Sequence, residues 1–323
     1  MSEGFFPNAN KITKFQESAN YWIFKTGEKV YKVKKDAEVS SAVPLEEIFC
    51  AETCRQLSNH SPDLKADLFT IKQVSDSFAI DLDGTVGGKP LFYGISMRQL
   101  PDRGFLSNIV EKNKLSDNHL KRIAKRLSDY HSEAKVAPGK DDGSPDSLSI
   151  KLQDLFYQSK KYLNVTINQA MIDMTLRPLE KSLVDNRKLL LKRMKSENIR
   201  QVHGCFMPRK INITSDAINF LGRTSDPLKS QYSDTIADVA DLSVMLGHLN
   251  QVDKAKVFVD AYFDVSGDKE SQQLLPIYQA LKSLELGLVD SVKSHQADSK
   301  LAASFKDTAV KYYEQTVEIV RSL

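Results

Sequence analysis

Two residues of one short loop, His203 and Cys205, carry side chains that can do chemistry. An imidazole and a thiol two positions apart are the groups of a nucleophile–base pair, in which the His would take the proton of the Cys thiol. Such a pair needs an acidic side chain to orient the His, and no acid partner is evident in the sequence. Thiol catalysis is therefore not the favoured interpretation of this loop.

A second candidate for chemistry is Asp81, in the segment Phe-Ala-Ile-Asp-Leu-Asp-Gly-Thr-Val at residues 78–86. The segment matches the first motif of haloacid-dehalogenase-type phosphatases, in which the first Asp is the nucleophile and the second, here Asp83, is the acid/base. In that class the Asp ends a core strand and leads into a helix or a flap. Here a stretch rich in Gly and Pro leads directly into another strand, and an Asp-Gly turn between strands is a common hairpin device. A hairpin is the prediction, with a phosphatase kept as an alternative.

The elements that must position these side chains are strands in the first hundred residues. Alternation of apolar residues predicts a strand pair at 21–26 and 29–34, joined by the tight turn Gly27-Glu28. A helix is predicted over 45–57. Three further strands are predicted over 68–74, 77–82 and 91–98, and the Gly- and Pro-rich residues 84–90 predict that the last two form a hairpin.

Helices dominate beyond Pro101. One helix is predicted from apolar residues that share a face, namely Leu120, Ile123, Ala124, Leu127 and Tyr130. Residues 136–149 are predicted to be a solvated loop, and 152–197 a long helical region broken near Pro178. A short hairpin within 211–220 and further helices from 234 complete the pattern. A sheet-rich part at 1–100 and a helical part at 101–323, which contains the His203 loop, form the outline of a kinase-like fold.

Five segments resemble, in order, the aminoglycoside-phosphotransferase-like family of small-molecule kinases. The closest resemblance is to a bacterial branch that is often fused to a P-loop kinase domain. The segments are an opening hairpin with Trp-x-Phe-x-Thr-Gly, a hinge, the helix after it, the approach to a catalytic loop, and a helix that is one residue short of the family's Asp-x-Ala-x-Asp-Leu, at residues 21–35, 97–101, 126–131, 199–204 and 238–242. The resemblance implies a two-lobed, protein-kinase-like α+β fold, with a small antiparallel-sheet N-lobe of five strands and one helix and a larger, mostly helical C-lobe.

The resemblance also implies that the catalytic positions are degenerate. The family's loop reads His-Gly-Asp-x-His-x-x-Asn, and in this chain His203 is kept while Cys205, Met207 and Lys210 replace the Asp, the second His and the Asn. The family's second metal-binding Asp corresponds to Leu221. Phosphoryl transfer needs a carboxylate near the acceptor and metal ions held by Asp and Asn. No catalytic residue and no metal ligand is therefore expected, unless a shifted loop recruits Asn212, Asp216 or Asp226.

The same resemblance implies which residues would surround a cofactor. Lys32 and Lys34 share one strand face, and one of them would reach a phosphate. Glu52 would pair with that lysine, with Glu46 and Glu47 as competitors. The remaining expected binding residues are the hinge residues Met97 and Gln99 and the cations Arg209, Lys210 and Arg223. Cations where the family holds metals predict binding of a nucleotide or other phosphate without magnesium; the alternative is that these are solvated surface charges.

The favoured function is thus a pseudokinase, a binding or regulatory module for a small anionic ligand or a partner protein. An active small-molecule kinase with an atypical site is the second hypothesis. The net charge of +3 and a basic stretch near residues 187–200 without interleaved aromatics do not indicate nucleic acid. No membrane span or secretory signal is recognised, and three cysteines without a metal spacing predict core thiols and a cytoplasmic location.

Overall fold

The computed structural model describes residues 5–6, 11–18, 21–35, 45–61, 64–139, 141–222 and 232–323. Contacts group the chain into a first unit of Met1–Lys114 with Arg209–Lys229 and a second unit of Leu115–Pro208 with Ser230–Leu323. The first unit therefore extends past residue 100 and takes in a later segment. A boundary between functional domains at residue 100 stays a prediction.

The first unit contains an antiparallel sheet of six strands in the order β1-β2-β3-β6-β4-β5. The strands are β1 Lys14–Glu17, β2 Tyr21–Lys25, β3 Lys29–Lys34, β4 Ala66–Val74, β5 Ser77–Asp81 and β6 Lys89–Arg98. The predicted antiparallel sheet and the β2–β3 hairpin are confirmed, and Gly27 has the positive φ (+92°) that its tight turn requires. The sheet has six strands, not the predicted five. The prediction missed β1, because all four of its residues are exposed and show no apolar alternation.

The predicted hairpin between β5 and β6 is wrong. β5 pairs with one edge of β4 and β6 pairs with the other, so residues 82–88 cross the end of β4, and the hairpin is β4–β5. Lys72 of β4 holds this crossing, since its ammonium lies 2.6 Å from the Asp81 carboxylate and donates to the Val86 carbonyl at 2.7 Å. Gly88 is needed here: a Cβ would lie 2.3 Å from the Gln73 carbonyl oxygen.

The two faces of the sheet bury different side chains. One face carries the apolar cluster Phe6, Phe24, Tyr31, Val33, Phe69 and Ile71. The other face packs against α1 (Leu45–His60) in a second cluster, formed by Cys54, Leu57, Leu64, Ala66, Ile95, Met97 and Leu100. Because side chains alternate along a strand, Lys32, between Tyr31 and Val33, lies on the α1 side. Its strand neighbour there is Ile95.

The second unit is mainly helical. Its helices are α3 Asp117–Glu133, α4 Pro145–Ser159, α5 Gln169–Asp185, α6 Arg187–Lys195, α7 Ile236–His248, α8 Val252–Ser266, α9 Leu275–Gln296 and α10 Ser299–Val320, while α2 (Leu106–Glu111) belongs to the first unit. A two-stranded sheet joins β7 (Ile199–Gln201) to β10 (Tyr232–Asp234). The predicted apolar face of α3 is confirmed, as all five of its residues are buried. Among the described residues, every helix is too short or too polar to cross a bilayer.

Two boundaries differ from the prediction. The loop that follows α3 is shorter than predicted, because Ser144 caps α4 and Pro145 occupies its first turn. The helical region is not broken near Pro178, which lies inside α5; the interruptions lie at residues 160–168 and at Asn186. The carbonyl that loses its intrahelical donor to Pro178 belongs to Met174, a residue that is 44% exposed.

A buried arginine ties α6 to two later segments of the second unit. The Arg193 side chain lies 2.5 and 2.8 Å from the two carboxylate oxygens of Asp234 and 2.7 Å from Asp268. Arg193 is 3% exposed and Asp234 is fully buried. Both charges are thus removed from water and depend on each other.

Candidate functional site

A short hairpin brings together the two positions at which the resemblance implies metal ligands. Strands β8 (Ile211–Ile213) and β9 (Ile218–Phe220) pair antiparallel, as the sequence predicts, and all their residues are buried. The pairing continues one step further, since the Leu221 amide donates to the Lys210 carbonyl at 2.8 Å. Lys210 and Leu221 are therefore neighbours, and the pair presents an ammonium and an isobutyl group. Neither group can ligate magnesium, which prefers oxygen ligands.

The Lys210 ammonium is partly buried and donates to the carbonyl oxygen of Gly222. Its charge acts on Lys32 of the same unit: burial, and then the positive charge of Lys210, lower the pKa of Lys32 to about 8. This effect requires the two ammonium groups to be near each other. Within the part of the chain that the structure describes, neither lysine is paired with a carboxylate. The result is a partly buried positive patch, which we call the Lys32–Lys210 patch.

Lys34 lies on the same strand face but has a different environment. Its ammonium is 5.6 Å from the centre of the Tyr21 ring and 5.9 Å from that of the Phe49 ring. Such cation–π contacts stabilise the charge of Lys34. Of the two lysines, Lys32 is the one coupled to Lys210.

The other predicted binding residues of the first unit have structural contacts. Glu52 accepts hydrogen bonds from Arg55 on the same helix, at 2.8 and 2.5 Å. Met97 is buried in the cluster against α1. Gln99 joins β6 to the β2–β3 turn, because its backbone amide donates to Glu28 at 2.7 Å and its side chain accepts from the Gly27 amide at 3.2 Å. Binding of a cofactor by these residues, and pairing of Glu52 with a strand lysine, stay predictions.

The remaining predicted residues are not gathered into one group. Arg209 is exposed, and Arg223 and Asp226 lie outside the described residues. Asn212 is fully buried and its side-chain amide donates to the Pro101 carbonyl at 3.1 Å, whereas Asp216 is exposed in the turn of the hairpin. Since Asn212 and Asp216 lie on the strand and in the turn beyond Lys210, the hairpin register does not place either at that position.

In the second unit, two carboxylates of α7 hold the backbone of the His203 loop. Asp238 accepts from the His203 amide at 2.7 Å and from the Gly204 amide at 2.9 Å, and Asp241 accepts from the Phe206 amide at 2.9 Å. Gly204 has the positive φ of +73° that the bend needs. The loop keeps a defined backbone, while position 205 carries a half-exposed thiol.

Each anchoring carboxylate has its own cationic or polar partner. Asp238 bonds to His131 at 3.0 Å, and the other ring nitrogen of His131 lies 2.8 Å from the Tyr262 hydroxyl. Asp241 lies 3.2 Å from the buried ammonium of Lys282. Burial raises the pKa of Asp241 to about 6, although the charge of Lys282 acts against this shift.

These anchors were not identified as functional from the sequence. Besides the resemblance at residues 238–242, the sequence offers the three-residue spacing of Asp238 and Asp241, which puts both carboxylates on one side of a helix. Nothing local marks Lys282, which comes from α9, or His131, which comes from α3. Among the described residues, no three His, Cys, Asp or Glu side chains are grouped so that they could hold a metal ion.

The environment of Asp81 does not support the phosphatase hypothesis. One of its carboxylate oxygens accepts from the amides of Gly84 (2.8 Å) and Val86 (3.4 Å), and the other pairs with Lys72. The side chain is 2% exposed. Asp81 therefore closes the turn after an edge strand, and its oxygens are occupied by structural partners.

Comparisons with known proteins identify the fold. No protein-family model and no curated protein matches the chain. Among solved structures, a choline/ethanolamine kinase family protein from Mesorhizobium loti is 14% identical, with a TM-score of 0.56 over 98% of this chain and 95% of its own. The GDP complex of aminoglycoside 2′-phosphotransferase-IIIa is 13% identical, with a TM-score of 0.54 over 96% and 95%.

A third similar structure is a glucosamine kinase in complex with glucosamine, ADP and inorganic phosphate. It is 11% identical, with a TM-score of 0.53 over 91% of this chain and 78% of its own. At such identities the likeness concerns the fold. The predicted kinase-like α+β fold, with an antiparallel sheet in one part and a larger helical part, is confirmed.

Proposed function

We propose that this chain is a pseudokinase of the phosphotransferase-like superfamily that binds a phosphate-bearing ligand without magnesium, through the Lys32–Lys210 patch. The proposal is carried by two partly buried ammonium groups of one unit, Lys32 and Lys210, neither of which is paired with a carboxylate among the described residues. Burial and the charge of Lys210 lower the pKa of Lys32, which supports the same interpretation. Two like charges out of water are unfavourable, and a bound anion would relieve both the desolvation and the repulsion. Charge-assisted hydrogen bonds from both lysines would hold it.

The absence of catalysis in this proposal rests on residue chemistry. The resemblance places Cys205 where a carboxylate would receive the hydroxyl proton, and a thiol is a poor substitute. Lys210 and Leu221 stand where the metal ligands would be, and the pairing of β8 with β9 supports that correspondence because it makes them neighbours. A magnesium ion does not fit beside this pair of side chains, because it needs oxygen ligands.

Ligand titration of the full chain in EDTA tests the proposal. Suitable probes are inorganic phosphate, ADP and GDP, because two of the structural neighbours were solved with such ligands. We expect binding in EDTA, and we expect Lys210→Met to weaken it about tenfold to a hundredfold, the value of a charge-assisted hydrogen bond. The matched control is Lys65→Met, an exposed lysine of the same unit, which should bind like the native chain.

Two results would count against this function. If none of the three probes binds, the patch is not a phosphate site. If binding needs magnesium, and ATP is then consumed with a small-molecule acceptor, the alternative of an active kinase with an atypical site is the correct one. Retention of full affinity in Lys210→Met would show that Lys210 does not take part in phosphate binding.

Affinity should also depend on pH in a defined direction. Lys32 loses its proton as the pH rises through about 8, so the affinity for ADP should fall between about pH 8 and 9.5, where its phosphates, with a last pKa of about 6, are fully ionised. Lys32→Arg should flatten this dependence, because a guanidinium stays charged throughout. Isothermal titration calorimetry at several pH values measures the affinity of the native chain and of Lys32→Arg. An equally steep fall in Lys32→Arg would assign the titration to another group.

A further inference from the structure

A pocket with a basic wall opens in the helical unit, where α9 ends and α10 begins. It has a volume of about 480 Å³ and is lined by these two helix ends and by the segment that follows α4. Volumes of a few hundred Å³ are typical of small-molecule sites. All of its lining residues belong to the second unit, so the pocket does not include the Lys32–Lys210 patch.

The segment that follows α4 is held in a defined shape. The Asn164 amide donates to the Ile167 carbonyl at 2.7 Å, and Asn164 has the positive φ (+61°) of a tight turn. The buried Thr166 hydroxyl lies 2.7 Å from the hydroxyl of Ser291, on α9. The segment is thus tied both to itself and to α9, and a ligand would not have to order this wall when it binds.

The apolar part of the wall suits a flat ring. It consists of Tyr162, Val165, Ala302 and Ala303. The Tyr162 ring meets the His295 ring edge-on, with 6.5 Å between their centres, and Val165 is 49% exposed. The two alanines, in the first turns of α10, leave room beside the aromatic side chains. An apolar body placed here would cover surface that now faces water.

The charged part of the wall is entirely basic. Lys161 and Lys306 both line the pocket, from the segment after α4 and from α10, and both are exposed. Over the described residues, no carboxylate lies within ion-pair distance of either ammonium, and no acidic residue lines the pocket. His295, at the end of α9, adds a ring that can donate a further hydrogen bond.

The acidic residues nearest in sequence are occupied or lie outside the wall. The Asp290 carboxylate pairs with Lys293 at 2.6 Å, and Asp298 caps α10 by accepting from the Leu301 amide at 3.2 Å. Asp307 is exposed and does not line the pocket. The two lysines of the wall therefore present their charge to whatever enters.

We propose that this pocket binds a small organic anion with a flat apolar body, of the class of aromatic carboxylates. The ring would lie against Tyr162 and Val165, and the carboxylate would accept hydrogen bonds from Lys161 and Lys306. This site does not depend on Lys32, Lys210 or the proposed phosphate ligand.

Indole-3-acetate and indole-3-acetamide form a matched pair of probes, because the amide has the same shape without the charge. Titration of the full chain at low ionic strength, followed by ligand-observed NMR, should show the acid binding about threefold to tenfold more tightly, the value of charged contacts at a partly exposed site. This preference should shrink in 0.5 M NaCl, since salt screens exposed charges. Ala303→Trp, which places a ring in the pocket, should lose both probes.

The double variant Lys161→Met/Lys306→Met should bind the two probes equally. The matched control is Lys311→Met, which removes an exposed charge from the same helix at a position that acts on His248 and does not line the pocket. It should keep the preference for the acid, as should Lys210→Met.

Equal binding of the two probes to the native chain, or binding of neither, overturns the proposal, and this comparison needs no variant to fold. Retention of the preference in Lys161→Met/Lys306→Met would overturn the assignment to these lysines. Its loss in Lys210→Met would mean that the acid binds at the Lys32–Lys210 patch, which also contradicts a separate site.

Discussion

Lys32→Met is expected to raise the free energy of unfolding by about 1–3 kcal/mol at pH 7 while weakening phosphate binding at least tenfold. The native fold holds this ammonium partly out of water beside Lys210, which lowers its pKa to about 8, so the charge costs folding free energy. Methionine has a similar length and no charge. Urea denaturation of the full chain measures the difference.

The pH dependence provides a check on the sign of this effect. Between about pH 8 and 10.5 the unfolded chain holds the Lys32 proton and the folded chain does not, so native stability should rise across this range. The stability of Lys32→Met should not rise in this way, because methionine does not titrate. The difference in free energy of unfolding between Lys32→Met and the native chain should therefore shrink toward pH 10.5. Lys34→Met is the matched control: its ammonium lies over two aromatic rings, so its removal should give no gain. A loss of stability in Lys32→Met would mean that the fold, and not a ligand, uses this charge.

Arg193→Met should be among the most destabilising single changes in the second unit. It leaves the buried Asp234 without its charge partner and releases Asp268, and removal of one partner of a buried ion pair costs about 3–5 kcal/mol. The loss of helical circular dichroism with increasing urea measures the change in the free energy of unfolding. The β7–β10 sheet should loosen first, because Asp234 ends β10.

The same helix supplies the control for this prediction. Arg187 also makes two hydrogen bonds to one carboxylate, that of Asp146, but both side chains are exposed. Arg187→Met should therefore change stability by less than about 1 kcal/mol. Equal effects of the two substitutions would show that burial of Arg193 does not determine its contribution.

The sequence predicted those features that depend on local pattern. Alternation and the Gly27 turn located the β2–β3 hairpin, and apolar spacing located the buried face of α3. The resemblance aligned Lys210 and Leu221 with the family's metal-binding Asn and Asp, and the hairpin register makes the two residues neighbours. In each case the residues concerned are close in the chain or fixed by a single turn.

Features that depend on distant partners were missed. The crossing from β5 to β6 follows from the pairing of β4 on both edges, which turn residues alone do not reveal. The sequence shows Asp238 and Asp241 as two acidic residues on one helix. Their role in holding the His203 loop depends on contacts with the loop amides and, for Asp241, with Lys282, all of which are distant in the chain. The coupling of Lys32 to Lys210 likewise exists only in the folded chain.

The Lys210 ammonium, held by the Gly222 carbonyl next to Leu221, has one further consequence. A metal ion exchanges with solvent, so its occupancy follows the supply of that metal and a chelator can strip it away. A cation that is covalently part of the chain is present at full occupancy at every ionic composition. Only a change of its own chemistry, such as acylation of the amine, would switch it off.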